Sequence, residues 1–426
     1  MRDHSKHVQV SRDEAIAAIL GACRFDTRME TVKTEDSIGR VLAEDAVAKM
    51  DMPNVLTCCM DSIALHWDSY DWASGVLPDT SSWERGADWE FANTGVAMPE
   101  GFDTAIVIEH VDVSEDEQSI LIKAAPSARF AGTRPAGSTF SSGDVLVEAG
   151  TLVTPLLAAH IASGNIPEVE VVCRPKVAFL PTGNELVCVG TLDVSRKNIE
   201  TNSILMAGKL RAWGAEPLLF PVTPDDPEAL VAVIRQAAEV ADIVVLNAGS
   251  SKGSDDWSCE VLEEIGEVLY HQTNHGPGHH SFCAVVDGTP VIGISGPPGG
   301  ASFTADFYVY PAVRTYLGLD PRLKKVRARL AAPFGGHAHG AHKKANDAIK
   351  GEKRPREGGT FFGIKQVLIA FGEDGIAEAT PVSSSHPNPP IAETARGYYC
   401  MPTGDGSVPS EVGDFIEVDL RPEFGF

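Results

Sequence analysis

The chain predicts a multidomain α/β and β protein, and three observations carry that expectation. Strands and helices alternate from Lys176 to about residue 320, the pattern of a Rossmann-like parallel α/β sheet. From about residue 40 to 175, short β-rich runs such as TAIVIEHVDV (104–113) and QSILIKAA (118–125) alternate with Gly, Pro and Ser turns. The tail closes in strand-like pieces, FFGIKQVLIAF (361–371) and FIEVDL (415–420), which predict a small C-terminal β domain. At 426 residues the chain is also too long for one ordinary core.

The elements follow in order. Ser11 and Glu14 form a capping-box pattern ahead of AIAAILGA, so a helix starts near residue 12. TPLLAAHIASG (154–164) reads as a helix with a glycine at its C-terminal end. KVAFL (176–180) opens the alternating region, followed by a helix around SILMAGKLRAWG (203–214) and a strand at EPLLFPV (216–222). Asp225, Asp226 and Pro227 then open the helix EALVAVIRQAAEVA; an acidic cap followed by proline is a firm start signal. A strand DIVVLN (242–247), a helix near SCEVLEEIG (258–266), a strand PVIGI (290–294) and an apolar helix to about residue 317 complete the run. The expected boundaries are 1–50 with 142–175 as an elongated N-terminal domain, 51–141 as the β-rich domain, 176–320 as the α/β domain and 321–426 as the C-terminal domain.

Composition narrows the function. A formal charge of −24 argues against a nucleic-acid or anionic-membrane partner, whose phosphates need clustered Lys and Arg. No apolar run is long enough to predict a membrane span, and MRDHSKHVQVSRDEA lacks an apolar signal core, so a cytoplasmic location is expected. Eight cysteines without a CxxC pair read as reduced thiols, the adjacent Cys58 and Cys59 included. His337, His339 and His342 are read as part of a mobile charged loop in preference to a metal site.

In a parallel sheet, ligands sit beyond the carboxyl ends of the strands. Three polar, glycine-containing loops follow directly on strands: PTGNE (181–185), NAGSSKGSDD (247–256) and SGPPGGAS (295–302). All three are expected at one sheet edge, where small residues let backbone N–H groups approach an anion. No GxGxxG follows the first strand and no GxxxxGK[ST] occurs, which argues against an unrelated nucleotide enzyme.

These loops belong to an ordered series of motifs. MPNVLTCCMDSIAL (52–65), ANTGVAMPEGFDTAIVIE (92–109), RPAG (134–137), SSGDVLVEAGT (141–151), PTGNEL (181–186), TPDDPEAL (223–230), NAGSSKGSDDW (247–257), GPG (276–278) and GISGPPGGAS (293–302) occur in one sequence. In this set and order the chain resembles the molybdopterin molybdotransferase family, MoeA in bacteria and the gephyrin E domain in animals. The resemblance implies a MoeA-like fold with a C-terminal β-barrel-like domain. It also implies insertion of molybdate into adenylylated molybdopterin with release of AMP, assisted by Mg²⁺.

Carried over residue by residue, the resemblance gives Asp61, Glu185, Asp225 and Asp256 catalytic roles, with Glu185, Asp225 and Asp256 at the metal. Thr94, Thr182, Gly183, Asn202, Gly249, Ser250, Ser251, Lys252, Gly253, Gly278, Gly296 and Pro298 would bind the ligand. A homodimer is implied in which Asp61 and Thr94 complete the partner's site. The molybdopterin adenylyltransferase and recipient molybdoenzymes are the implied protein partners. Plainer readings stand beside these: Asp225 as the N-cap of its helix, Thr182, Gly183 and Glu185 as caps of the next helix, and Asp255 as a solvated acid.

The chain departs from the family where the chemistry is expected. Gly276, Pro277, Gly278, His279 and His280 stand where the family has roughly K-P-G-K-P, and Lys252 stands where it has an apolar residue. We expect Lys252, helped by His275 or His279, to restore the positive charge. Arg134 to Thr139 (RPAGST) lacks the acids of the family's R-x-G-E-D, Gly296-Pro297-Pro298 lacks the Asn of its P-G-N-P turn, and Met60 to Ala64 lacks the ring of M-D-G-Y-A. Those departures keep two alternatives open: a non-catalytic carrier or scaffold for the cofactor, and a tungstate-specific insertase.

Overall fold

The computed structural model describes residues 9–195, 197–248, 258–334, 361–382, 396–403 and 411–423. It divides into two compact units, Met29–Val172 and a second made of Met1–Arg28 with Cys173–Phe426. The first helix therefore clusters with the α/β region, apart from residues 29–50 with which it was grouped from sequence.

In the unit Met29–Val172, three small cores share the chain, the smallest around Cys58, Ala64, Ala92, Met98, Phe102 and Ala105. One forms where the strands Met29–Lys33 and Glu168–Val172 pair antiparallel, with Leu42, Val147, Val153 and Ile161 packed beside Val169 and Val171. The helix Pro155–Ser163 lies on this core, started by Thr154, whose hydroxyl accepts the Leu157 N–H, and ended at Gly164. Another surrounds the strand Ser62–Leu65, flanked by Trp89–Ala92 and Thr104–Val107, with Trp72, Trp89 and Ile106 buried. These cores come from short strands with polar turns, as the composition of this stretch predicts.

The second unit is built on a six-stranded sheet. We label its strands β1 (Lys176–Pro181), β2 (Glu216–Leu219), β3 (Ile243–Ala248), β4 (Glu267–Tyr270), β5 (Phe282–Val286) and β6 (Thr289–Ser295). Their order is β2-β1-β3-β6-β5-β4. The pairs β1–β2, β1–β3 and β3–β6 are parallel, while β6–β5 and β5–β4 are antiparallel. The parallel sheet expected from sequence is present, extended by an antiparallel edge whose strands are too short to stand out. Alternation sorts the core: Ala178, Leu180, Val244 and Leu246 meet Leu230, Ile234 and Ala237 of the helix Pro227–Val240.

The helix Arg12–Ala22 carries both bonds of the expected capping box. Arg12 binds the Asp419 carboxylate at 2.5 Å and lies over the Phe307 ring, which fastens this helix to the C-terminal strands. Those strands close on themselves: Phe361–Phe371, Ala377–Pro381, Lys325–Leu330, Phe415–Leu420 and Gly397–Thr403 form a ring that returns to the first. The result is the expected β-barrel, and closure leaves no open edge in that ring. Among the described residues no helix is long and apolar enough to cross a membrane.

Candidate active site

The chain runs from β1 to β2 on one side and then returns to β3 on the other, so the strand order reverses between β1 and β3. That reversal opens the crevice in which doubly wound sheets hold ligands. Pro181 lies opposite Asn247 in the β1–β3 register, and Ala248 lies opposite Ser295 in the β3–β6 register. The loops after β1 and β6 leave the sheet at this one edge, where β3 also ends.

The first loop is pinned from both sides. Thr182 is buried, its hydroxyl donating to the Asn247 carbonyl at 3.0 Å. Gly183 has φ +147°, and a Cβ there would lie 2.6 Å from Oε2 of Glu185, so the Glu185 carboxylate folds over a position only glycine fits. The Asn184 N–H donates to Asp225 Oδ2 at 3.0 Å, and the Asp225 N–H donates back to Asn184 Oδ1 at 3.3 Å. Two strand-end loops, after β1 and after β2, are thereby joined through Asp225.

Asp226, not Asp225, caps the helix Pro227–Val240, its side chain accepting the Ala229 N–H at 3.0 Å. Helix capping therefore does not account for Asp225. The reading of Thr182, Gly183 and Glu185 as caps also fails, because the next helix starts at Asn202 behind Thr201. Asn202 is buried at that start and its Nδ2 donates to Asn247 Oδ1 at 2.8 Å and to the Gly296 carbonyl at 2.7 Å. Asn247 in turn donates from Nδ2 to the Ser295 carbonyl at 2.8 Å. Asn247 was missed from sequence because it closes an apolar run and its partners lie 45 and 48 residues away.

Gly296 and Pro298 open the helix Pro298–Thr304, with Pro297 as its N-cap. Gly278, at φ +89°, presses so closely on Phe303 and Thr304 that any Cβ would clash. Its visible constraint is therefore packing. Gly249, Ser250, Ser251, Lys252, Gly253 and Asp256 lie outside the described residues, as does the His337, His339 and His342 stretch.

One expectation is corrected. His275 does not supply a positive charge: it is buried against Phe303, Phe307 and Tyr308, with Nε2 2.5 Å from the Tyr308 hydroxyl. Burial pushes its imidazole down to about 4, so it is neutral at pH 7.

In the unit Met29–Val172, Asp61 and Thr94 come together. Asp61 Oδ1 accepts the Thr94 N–H at 2.9 Å and the Thr94 hydroxyl at 3.0 Å. The pairing of Ser62 with Ala92 sets the two residues side by side just beyond their strands. Those two bonds hold the exposed Asp61 carboxyl below its ordinary range. Cys58 is buried with its thiol directed at the Met60 carbonyl, 2.9 Å away, consistent with a reduced core thiol.

Comparison with known proteins decides the lineage. The family model described as "MoeA N-terminal region (domain I and II)" matches residues 10–164, and that described as "Probable molybdopterin binding domain" matches 178–315. The chain belongs to the MoeA family. A molybdopterin molybdenumtransferase of Staphylococcus aureus (strain MSSA476) is 28% identical over 319 residues, covering 71% of this chain and 75% of that protein. The Staphylococcus epidermidis (strain ATCC 12228 / FDA PCI 1200) molybdopterin molybdenumtransferase is 25% identical over 327 residues, covering 74% and 77%. In fold, the chain matches the molybdopterin biosynthesis MoeA protein from Pyrococcus horikosii with a TM-score of 0.72, at 24% identity and 97% and 99% coverage. The MoeA fold is thus present along nearly the whole chain.

The chemistry of the donors suits a hard cation. Glu185 and Asp225 offer carboxylate oxygens on two loops that hydrogen bond to each other, the ligand type Mg²⁺ prefers. Among the described residues no group of three or more His, Cys, Asp or Glu is placed to hold a metal. The third carboxylate of the expected set, Asp256, falls outside them.

Proposed function

We propose that this protein inserts molybdate into the dithiolene of adenylylated molybdopterin and releases AMP, a step of molybdenum cofactor biosynthesis. The observation that carries the reading is the joining of the PTGNE and DDP loops through Asn184 and Asp225 at the sheet's reversal point, in a chain of MoeA lineage. The strand-end loops carrying Thr182, Gly183, Asn202, Gly296 and residues 249–253 line the pterin and its phosphates. Pro298 and Gly278 shape the adjoining wall. Glu185, Asp225 and Asp256 would hold Mg²⁺, which supplies charge neutralisation for the phosphate and the oxyanion. Asp225 orients the PTGNE loop through the Asn184 N–H, so the acid positions backbone as well as charge.

Two copies form a homodimer in this reading, with Asp61 and Thr94 completing the partner's site. A cytoplasmic adenylyltransferase supplies the substrate and molybdoenzymes receive the product. The test is to mix the purified protein with adenylylated molybdopterin, Mg²⁺ and either molybdate or tungstate, and to follow AMP and product mass. Oxyanion-dependent AMP release, lost on chelation of Mg²⁺, is the expected result. Tight pterin binding with no AMP release would instead identify a carrier, and release with tungstate alone a tungstate insertase.

A further inference from the structure

Asn247 occupies an odd place for an amide. It lies inside the central strand β3, 3% exposed, after Ile243, Val244, Val245 and Leu246, which are all fully buried. Asn is depleted in strands, and a buried amide without partners costs about 1–3 kcal/mol. Strand preference therefore does not explain the residue.

Its hydrogen bonds do. The side chain accepts from Asn202 and donates to the Ser295 carbonyl, while its own carbonyl accepts the Thr182 hydroxyl. Asn202 spends its other amide proton on the Gly296 carbonyl. Carbonyls only accept, so both amide orientations are fixed by the network. One residue therefore ties the loops after β1 and β6 and the start of the helix Asn202–Ala212 to the strand from which the third loop departs.

We propose that Asn247 is a positioning residue whose side chain holds the start of the helix Asn202–Ala212 and the loop after β6 in register around the pterin. The inference rests on the functional reading above, which assigns those segments to the ligand. The Asn247 side chain acts through the Ser295 carbonyl and through Asn202, which in turn reaches the Gly296 carbonyl. Loss of its amide leaves the sheet intact and lets the two segments move independently, so the substrate is bound less well.

The test uses two variants of equal shape, Asn247→Val and Asn247→Thr, in the full-length protein. Both are β-branched and favour a strand, and they differ by a hydroxyl that can donate and accept. AMP release is measured against adenylylated molybdopterin concentration, with molybdate and Mg²⁺ saturating, beside melting temperature. A KM raised tenfold or more in Asn247→Val, and raised less in Asn247→Thr, is expected. A merely structural role lowers the amount of active protein, so Vmax falls while KM stays put. A KM within twofold of wild type in Asn247→Val, or an equal rise in both variants, overturns the proposal. Should Asn247→Val fail to fold, Asn202→Ala removes the same link from the helix side, and an unchanged KM there is equally contrary. Wild-type protein that releases no AMP contradicts the proposed function itself, whereas active wild type beside an unaffected Asn247→Val contradicts only this inference.

Discussion

Two sets of charged groups in the same unit sit at opposite depths, and the contrast separates structure from chemistry. Lys209 and Asp306 are 4% and 0% exposed and pair at 2.6 Å, with the Tyr398 hydroxyl donating to the same carboxylate at 2.7 Å and Glu423 bound to the same ammonium. Asp306 falls in the π-helical turn Ala305–Val309, where one extra residue per turn changes which side chain faces the neighbouring helix. Asp225 and Glu185, by contrast, lie at the open edge of the sheet, and Asp225 is held by backbone and amide groups of a loop. The deep pair is fully partnered and fastens two helices to the C-terminal barrel. The edge carboxylates carry oxygen donors of the kind a hard cation prefers.

The contrast predicts that damage to the deep pair shows in stability and damage at the edge shows in turnover. The largest effect is expected for Lys209→Met, which strands a buried carboxylate and should cost about 3–5 kcal/mol in denaturant unfolding. Adding Asp306→Leu should recover much of that loss, because an apolar pair avoids the desolvation of both charges. Equal instability of the single and double variants would show that the pair does more than neutralise itself.

Protonation of His275 ranks next. Its value in the folded protein is about 4, below the ordinary 6.5, so the unfolded chain binds the extra proton first. Its contribution is full above pH 6.5 and is lost as pH falls from there to about 4, roughly 3 kcal/mol over that window. An NMR titration of the imidazole should find it still neutral at pH 5.5; a midpoint near 6.5 would place it in solvent.

At the edge, Asp225→Ala should slow AMP release by about 100-fold, near 2.7 kcal/mol of transition-state stabilisation, while the melting temperature moves little. The smallest effect is expected for Asp61→Asn. It keeps an oxygen for the Thr94 N–H and removes only an exposed charge, so stability should be unchanged, while AMP release should fall about tenfold if the residue serves a partner's site. Full activity would remove Asp61 from the proposed chemistry.

The legible parts of the fold were those governed by local rules. Ser11 with Glu14, Thr154 with Pro155 and Asp226 with Pro227 mark helix starts that the structure keeps. The apolar runs at 176–180 and 242–247 mark strands buried on both faces, and the loop after the first leaves the sheet at the expected edge. Lys325–Leu330 was harder, since its basic residues masked an alternation in which Ala328 and Leu330 point inward. The antiparallel strands β4 and β5 were invisible because short runs of four and five residues carry no period. Asp61 beside Thr94 followed from matched motifs, yet Asn247 did not, because an amide bonded across strand ends has no local signature. His275 misled for the same reason: its sequence neighbours are polar, and the rings that bury it come from residues 303–308.

The central claim is that the edge carboxylates act on the substrate and do not hold the fold. The most direct measurement is AMP release per folded molecule by Asp225→Ala and wild type, side by side, with adenylylated molybdopterin, molybdate and Mg²⁺. The account predicts a fall of about 100-fold at an unchanged melting temperature. A rate within twofold of wild type would contradict it.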